Sequence, residues 1–254
     1  MTIRNTIQNK GEQILNVYCT AGYPNLDSTV PVLKSLSDEG VDLIELGMPY
    51  SDPLADGTTI QESSQKALQN GLSLDILFDQ VKEAREYTQV PIISMGYYNQ
   101  MLQYGVDRFL SAAQTAGIQG LIIPDLPMDI YEEEYQELFS QYIMEMSFLI
   151  TPLTSEERIR QADRLSSAFI YVVSQTSITG KKGDIQSSQK EYFDRIEKMN
   201  LQSPRLIGFG IHDKASYDTA CKYSHGAIIG SAFIRALDEE NIERSISEFV
   251  KGIR

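Results

Sequence analysis

The chain has 254 residues and a net charge of −13, with 42% hydrophobic and 22% charged residues. That length and composition suit a globular protein able to bury a large core, and no Pro/Ser-rich linker divides it, which predicts one domain over 1–254. The negative charge, unrelieved by any Lys/Arg stripe, argues against nucleic acid and anionic membranes as partners, and no apolar run approaches the ~20 residues that span a bilayer.

The start, Met1 to Asn5, has no hydrophobic signal region, which predicts a cytoplasmic protein. Cys19 and Cys221 do not make a disulfide framework in so long a chain, and no Cys/His cluster has zinc spacing, so no metal is expected.

In chain order, a short amphipathic segment around Ile3 and Ile7 predicts an extra N-terminal helix. The first strand follows at Ile14 to Thr20. Leu26, Val30, Leu33 and Leu36 then mark a helix that stops at Gly40. The apolar run after Asp42, with Glu45 inside it, is the second strand. Leu74, Leu77, Phe78 and Val81 repeat at helical spacing, and Pro91 to Met95 is the third strand. Val106, Phe109, Leu110 and Ala113 mark a helix closed by Gly117, and Gly120 to Pro124 is the fourth strand. A stripe from Tyr131 to Tyr142 precedes strand five at Met146 to Ile150. Thr154 with Glu157 predicts a capping box. Strand six is Ala168 to Val173, followed by a helix near Glu191 to Met199. Strand seven is Arg205 to Phe209, with a helix after His212. Strand eight is Ala227 to Ile229, and Ile242, Ile246, Phe249 and Val250 form a last helix.

Eight strand signals alternating with helices predict an α/β fold, a (β/α)8 TIM barrel. The alternative, an open doubly wound sheet, commonly carries a Gly-rich dinucleotide fingerprint near its start, which is absent here. In a barrel the chemistry sits at the C-terminal ends of the strands.

Glu45 lies among Leu43, Ile44 and Leu46, and burying a carboxylate there is costly unless it is paired or lines a polar cavity. The adjoining loop adds Asp52 and Asp56, although loop aspartates usually make turns or caps. Carboxylates on a strand and its loop are the equipment of general acid/base chemistry. Asp125, just past strand four, reaches the same end of the barrel.

Gly208-Phe209-Gly210 and Gly230-Ser231 end strands seven and eight, and loop six, Ser174 to Gln189, contains Gly180 and Gly183. Glycines let backbone N–H groups approach an anion, and the helix start after Ser231 adds a positive dipole end, so a phosphate is the expected ligand. Loop six reads as a lid or a solvated insertion. No lysine falls in a predicted strand, which disfavours a Schiff-base aldolase. His212 and His225 are too isolated for a metal triad. A metal-dependent aldolase using Glu45, Asp52, Asp56 and Asp125, a sugar-phosphate epimerase and a non-catalytic activating subunit are the competing readings.

The run Glu45-Leu46-Gly47, then Pro49-Tyr50-Ser51-Asp52-Pro53-Leu54-Ala55-Asp56-Gly57, resembles the signature of the tryptophan synthase alpha chain family. Thr20-Ala21-Gly22-Tyr23-Pro24, Asp125-Leu126-Pro127, Thr179-Gly180, Gly208-Phe209-Gly210-Ile211 and Gly230-Ser231-Ala232 extend the likeness over the whole chain. The resemblance implies a (β/α)8 barrel cleaving indole-3-glycerol phosphate to indole and glyceraldehyde 3-phosphate. It also implies an α2β2 complex with a beta chain that carries pyridoxal phosphate, with no cofactor in this chain. By the same resemblance Glu45 is the general acid/base and Asp56 the second catalytic carboxylate. Gly180, Phe209, Gly210, Gly230 and Ser231 match phosphate-binding positions, Tyr18, Met95, Tyr97 and Tyr171 match the substrate pocket, and Thr179 belongs to the lid. Thr58 stands where the family usually has proline, which implies a looser Asp56 loop, and Ser177 stands where it often has glycine.

Overall fold

The computed structural model describes residues 2–174 and 187–254. Nine parallel strands are found among the described residues: β1 (Ile14–Thr20), β2 (Leu43–Gly47), β3 (Ile92–Met95), β4 (Gly120–Ile122), β5 (Glu145–Ser147), β6 (Leu149–Ile150), β7 (Ile170–Val173), β8 (Arg205–Gly208) and β9 (Gly226–Ile229). They run in the order β5-β4-β3-β2-β1-β9-β8-β7-β6. β5 and β6 are the two halves of the expected fifth strand, interrupted at Phe148. The first half pairs with β4 and the second with β7, so this one segment closes the sheet on itself. The eight expected strands are therefore present, and the architecture is the (β/α)8 barrel.

Alternation along each strand sorts the core into two layers. Ile14, Tyr18, Leu43, Ile93, Met95, Tyr171 and Leu206 fill the inside of the barrel. Leu15, Val17, Ile44, Leu46, Ile92, Val172 and Ile207 face outward into the layer shared with the helices. Among those helices, Thr29–Asp38 packs against Leu74–Ala84 and Ile242–Ile253. No described helix is long and apolar enough to cross a membrane.

The expected N-terminal helix is Ile3–Lys10, opened by the Thr2 hydroxyl, which accepts from the Asn5 N–H at 3.2 Å. Ile3 and Ile7 are fully buried in the inner cluster, so this helix plugs the N-terminal end of the barrel. Gly120 makes room for the plug, because a Cβ at that position would lie 2.7 Å from Ile3 Cδ1. Glu145 anchors it by accepting from the Ile3 and Arg4 N–H groups at 2.5 and 3.2 Å, two donors that a helix start leaves without internal partners.

One local expectation needs correction, and one helix was not expected. The capping residue of helix Glu156–Leu165 is Ser155, whose hydroxyl accepts from the Arg158 N–H, while Thr154 Oγ1 accepts from the Thr151 N–H in the preceding turn. Helix Thr58–Gln69 gave no hydrophobic stripe because its buried face is Ile60, Ser63, Ser64 and Ala67, mostly small or polar.

Glu145→Ala should lower stability by about 1–3 kcal/mol, because two helix-start N–H groups lose a charged acceptor. A urea midpoint equal to that of the parent would show that the plug does not depend on this carboxylate.

Candidate active site

Glu45 is the middle residue of β2, and its side chain points into the barrel, 1% exposed. It lies opposite Tyr18 in the register between β1 and β2. Asn16, one inward position before Tyr18, donates from Nδ2 to Glu45 Oε2 at 3.3 Å. Burial pushes the Glu45 carboxyl up to about 8, the Asp56 charge adds to the rise, and the Asn16 hydrogen bond opposes it. A carboxyl in that range exchanges a proton readily near neutral pH.

Tyr18 and Tyr171 form the walls. Each ring lies across an inward strand position that only glycine leaves open. A Cβ on Gly47 would sit 2.0 Å from the Tyr18 hydroxyl oxygen, and one on Gly208 would sit 2.3 Å from that of Tyr171. Burial holds both phenols well above their usual range, with the Glu45 and Asp56 charges adding to the rise, so they remain neutral hydroxyls. Met95 ends β3 opposite Gly47 and completes the inner wall.

Asp56 is half-buried on the loop after β2 and is held by a neighbouring strand rather than by its own. Tyr97, just past β3, donates its hydroxyl to Asp56 Oδ2 at 2.9 Å and accepts from the Ala55 N–H at 3.0 Å. Its ring stacks on Tyr50 with centroids 5.2 Å apart. Gln100 ties the same loop by donating to the Pro49 carbonyl, and Gln61 donates to the Asp56 carbonyl at 2.8 Å. Burial raises the Asp56 carboxyl and the Tyr97 hydroxyl lowers it. Thr58 is the first residue of its helix, after Gly57 as cap, a position that accepts proline because that N–H has no helical partner. The loop is thus tied at both ends of Asp56.

At the ends of β8 and β9 the main chain turns sharply. Phe209 and Gly210 both have positive φ, 66° and 80°, and the Phe209 ring packs edge-on against Tyr171 at 6.1 Å. The Ser174 hydroxyl donates to the Phe209 carbonyl at 2.6 Å. Gly230 caps helix Ser231–Ala236 with no side-chain cap, which leaves the first-turn N–H groups to an outside acceptor. Thr179, Gly180 and Ser177, with the central part of the expected lid, lie outside the described residues.

Other sequence candidates have structural partners. Asp52 is exposed and accepts from its neighbour, the Ser51 hydroxyl, at 2.5 Å. Asp125 accepts from the Tyr98 N–H at 2.8 Å and so anchors the start of helix Tyr98–Tyr104. His212 precedes the Asp213 cap of helix Lys214–Cys221, and His225 accepts from the Arg205 N–H at the opposite end of the barrel. Among the described residues no group of three or more His, Cys, Asp or Glu is placed to hold a metal ion. Sequence reasoning missed Asn16, which it absorbed into an apolar strand. The signal was the inward series Ile14, Asn16, Tyr18, Thr20, where a polar residue recurs on the barrel side.

A closed parallel barrel with two carboxyls of raised affinity for protons, one within β2 and one on the loop after it, defines the class as a (β/α)8-barrel enzyme. The model of the tryptophan synthase alpha chain family matches residues 5–251. The alpha chain of Flavobacterium psychrophilum is 52% identical over 242 residues, covering 95% of each chain, and that of Parabacteroides distasonis is 49% identical over 238 residues, covering 94% and 93%. A solved tryptophan synthase complex of Pyrococcus furiosus superposes with a TM-score of 0.86 at 32% identity, covering 94% of this chain and 96% of that one. The chain belongs to the tryptophan synthase alpha chain family. Its reaction is the lyase reaction of that family, cleavage of indole-3-glycerol phosphate to indole and glyceraldehyde 3-phosphate.

Gly47→Ala should displace the Tyr18 ring and destabilise the fold by about 1–3 kcal/mol, the usual cost of overpacking. Unchanged urea unfolding would mean that Tyr18 does not occupy the space above Gly47.

Proposed function

We propose that Glu45 and Asp56 divide the chemistry of the cleavage between them. The protonated Glu45 carboxyl delivers its proton to C3 of the indole ring. The carboxylate that remains takes the proton of the glycerol hydroxyl next to the breaking bond. As that hydroxyl becomes a carbonyl, the carbon–carbon bond breaks and its electron pair returns to the ring. Indole and the aldehyde leave, and Glu45 is again protonated. No net proton is consumed, so one group serves both transfers. The ring nitrogen turns positive in the intermediate, and the Asp56 carboxylate accepts the hydrogen bond of its N–H.

The observation that carries this reading is the unequal burial of the two carboxyls. Glu45 is enclosed inside the barrel, where the neutral form is favoured, whereas Asp56 is only half-buried and has a phenol hydroxyl donated to it. Environments that separate two such groups assign acid and anion roles.

In this proposal Tyr18, Met95, Tyr97 and Tyr171 line the indole and propanol parts of the pocket. Gly180, Phe209, Gly210, Gly230 and Ser231 hold the phosphate through main-chain N–H groups, and Thr179 belongs to the closing lid. Main-chain donors suit a chain of charge −13, because they supply a local positive field that the whole molecule does not. The whole chain, 1–254, works as one domain in the cytoplasm. The partner is the beta chain of tryptophan synthase, in an α2β2 assembly of the kind described for the Pyrococcus furiosus enzyme. The alpha chain works without a cofactor of its own, and pyridoxal phosphate belongs to the beta chain.

Glu45→Gln should lower kcat by at least about 10²-fold, since an amide cannot exchange the proton and acid/base groups are worth roughly 10²–10⁴. Indole release above a tenth of the parent's would remove Glu45 from the proton transfers. The pH profile carries a sign as well. The starting form is protonated at Glu45, whose midpoint lies at about 8, so kcat/KM should fall as pH rises through that value, and it should fall again on the acid side where Asp56 takes up a proton. A rise across the same range would mean that the enzyme starts from the ionised form.

A further inference from the structure

Asn16 stands on β1 at an inward position, opposite Leu43 and one inward step below the Tyr18–Glu45 pair. It is fully buried. Its Nδ2 donates to Glu45 Oε2, while its Oδ1 is enclosed and has no hydrogen-bond partner among the described residues. A buried amide oxygen without a partner is costly, and most such atoms in folded proteins are paired. The unused acceptor here belongs to the same amide that already contacts Glu45, which the mechanism requires in two protonation states.

We propose that Asn16 is the positioning residue of the Glu45 carboxyl in both of those states, donating from Nδ2 to the carboxylate and, after the amide turns over, accepting at Oδ1 from the carboxylic acid. An amide is suited to this because it presents a donor and an acceptor of nearly the same shape, so a half-turn exchanges them without repacking. Leucine at this position would fill similar space and offer neither, whereas aspartate would offer only acceptors. The proposal rests on Glu45 being the proton-transfer group. It adds that the group's orientation survives each transfer because its hydrogen-bond partner changes role with it.

The other titratable groups around Glu45 are Tyr18 from β1, Tyr171 from β7 and Asp56 from the loop after β2, with Cys19 on the outer side of β1. Burial holds the two phenols and the thiol far above neutrality. Asp56 is the one neighbour that ionises below them, so a resonance-specific measurement is needed to separate it from Glu45.

The test uses the full-length chain, selectively labelled at glutamate side-chain carboxyl carbons and asparagine side-chain nitrogens, with Glu45→Gln and Asn16→Leu assigning the two signals by their disappearance. In the unmutated chain the Asn16 side-chain amide signals should titrate with the same midpoint as the Glu45 carboxyl. Amide signals that stay flat through the Glu45 titration would overturn the proposal without any substitution in the molecule. In Asn16→Leu both forms lose a partner, but the charge-assisted hydrogen bond to the ionised form is the stronger one, so the Glu45 midpoint should rise by about one unit. Turnover in the complex with the beta chain should fall about tenfold with KM within about twofold, and the high-pH limb of kcat/KM should move up with the Glu45 midpoint. Asn16→Asp should raise the midpoint further. If Glu45→Gln stays active, the catalytic reading fails, and the shared titration still decides whether Asn16 holds this carboxyl. If Glu45→Gln is inactive but Asn16→Leu leaves the midpoint and kcat unchanged, the catalytic reading stands and the role given to Asn16 is wrong.

Discussion

The rest of the site depends on one constraint, the placing of a carboxyl inside a barrel that excludes water. Alternation along β2 leaves no choice about its direction, since Leu43, Glu45 and Gly47 all face inward once Ile44 and Leu46 are packed against the helices. Taking an ionised carboxylate out of water is expensive, so the group becomes neutral near physiological pH. Its polar neighbours then follow a pattern. Tyr18 and Tyr171 are kept as uncharged hydroxyls, Asn16 offers an amide, and Gly47 and Gly208 surrender their side-chain space so that the two rings fit.

The second carboxyl is governed by a different kind of contact. Asp56 hangs on a loop whose direction is fixed from β3, through the Tyr97 hydroxyl and the Gln100 amide, rather than from the strand that precedes it. In the proposed mechanism a rigid strand holds the group that exchanges protons, and a tied loop holds the group that only carries charge. The two therefore meet different demands. Proton transfer is sensitive to fractions of an ångström, whereas stabilising a positive ring nitrogen tolerates more movement.

Much of this could be read in the sequence because the signals were local. Apolar runs ended by turn residues located every strand, and Glu45 stood out as a charge inside one of them. The break at Phe148 was not legible, because β5 and β6 read as one apolar run and only their change of partner separates them. Helix Thr58–Gln69 was silent since it buries serines, and Ser63 finds its partner in Thr20 at 2.7 Å, a contact between residues distant in sequence. The same limitation hid the roles of Asp125, Asn16 and Glu145. A polar residue's function is decided by what lies across the barrel, and spacing along the chain does not report that. Gly120 illustrates the point in reverse, since it read as an ordinary strand start although its missing side chain admits the N-terminal plug.

The loop that carries Asp56 also presents an apolar side chain to a partner. Leu54, two residues before Asp56, is 83% exposed, an unusual place for leucine next to a reaction centre. Burying a leucine side chain is worth roughly 1.5–3 kcal/mol. A beta chain covering Leu54 in only one arrangement of the loop would therefore favour that arrangement by about 10–100-fold. Ala55 and Asp56, the two residues after Leu54, are both bonded to the Tyr97 hydroxyl, so Leu54 and the carboxylate share one anchor. Such a coupling would need no long pathway through the barrel, because the exposed leucine and the carboxylate proposed for catalysis lie on the same short loop.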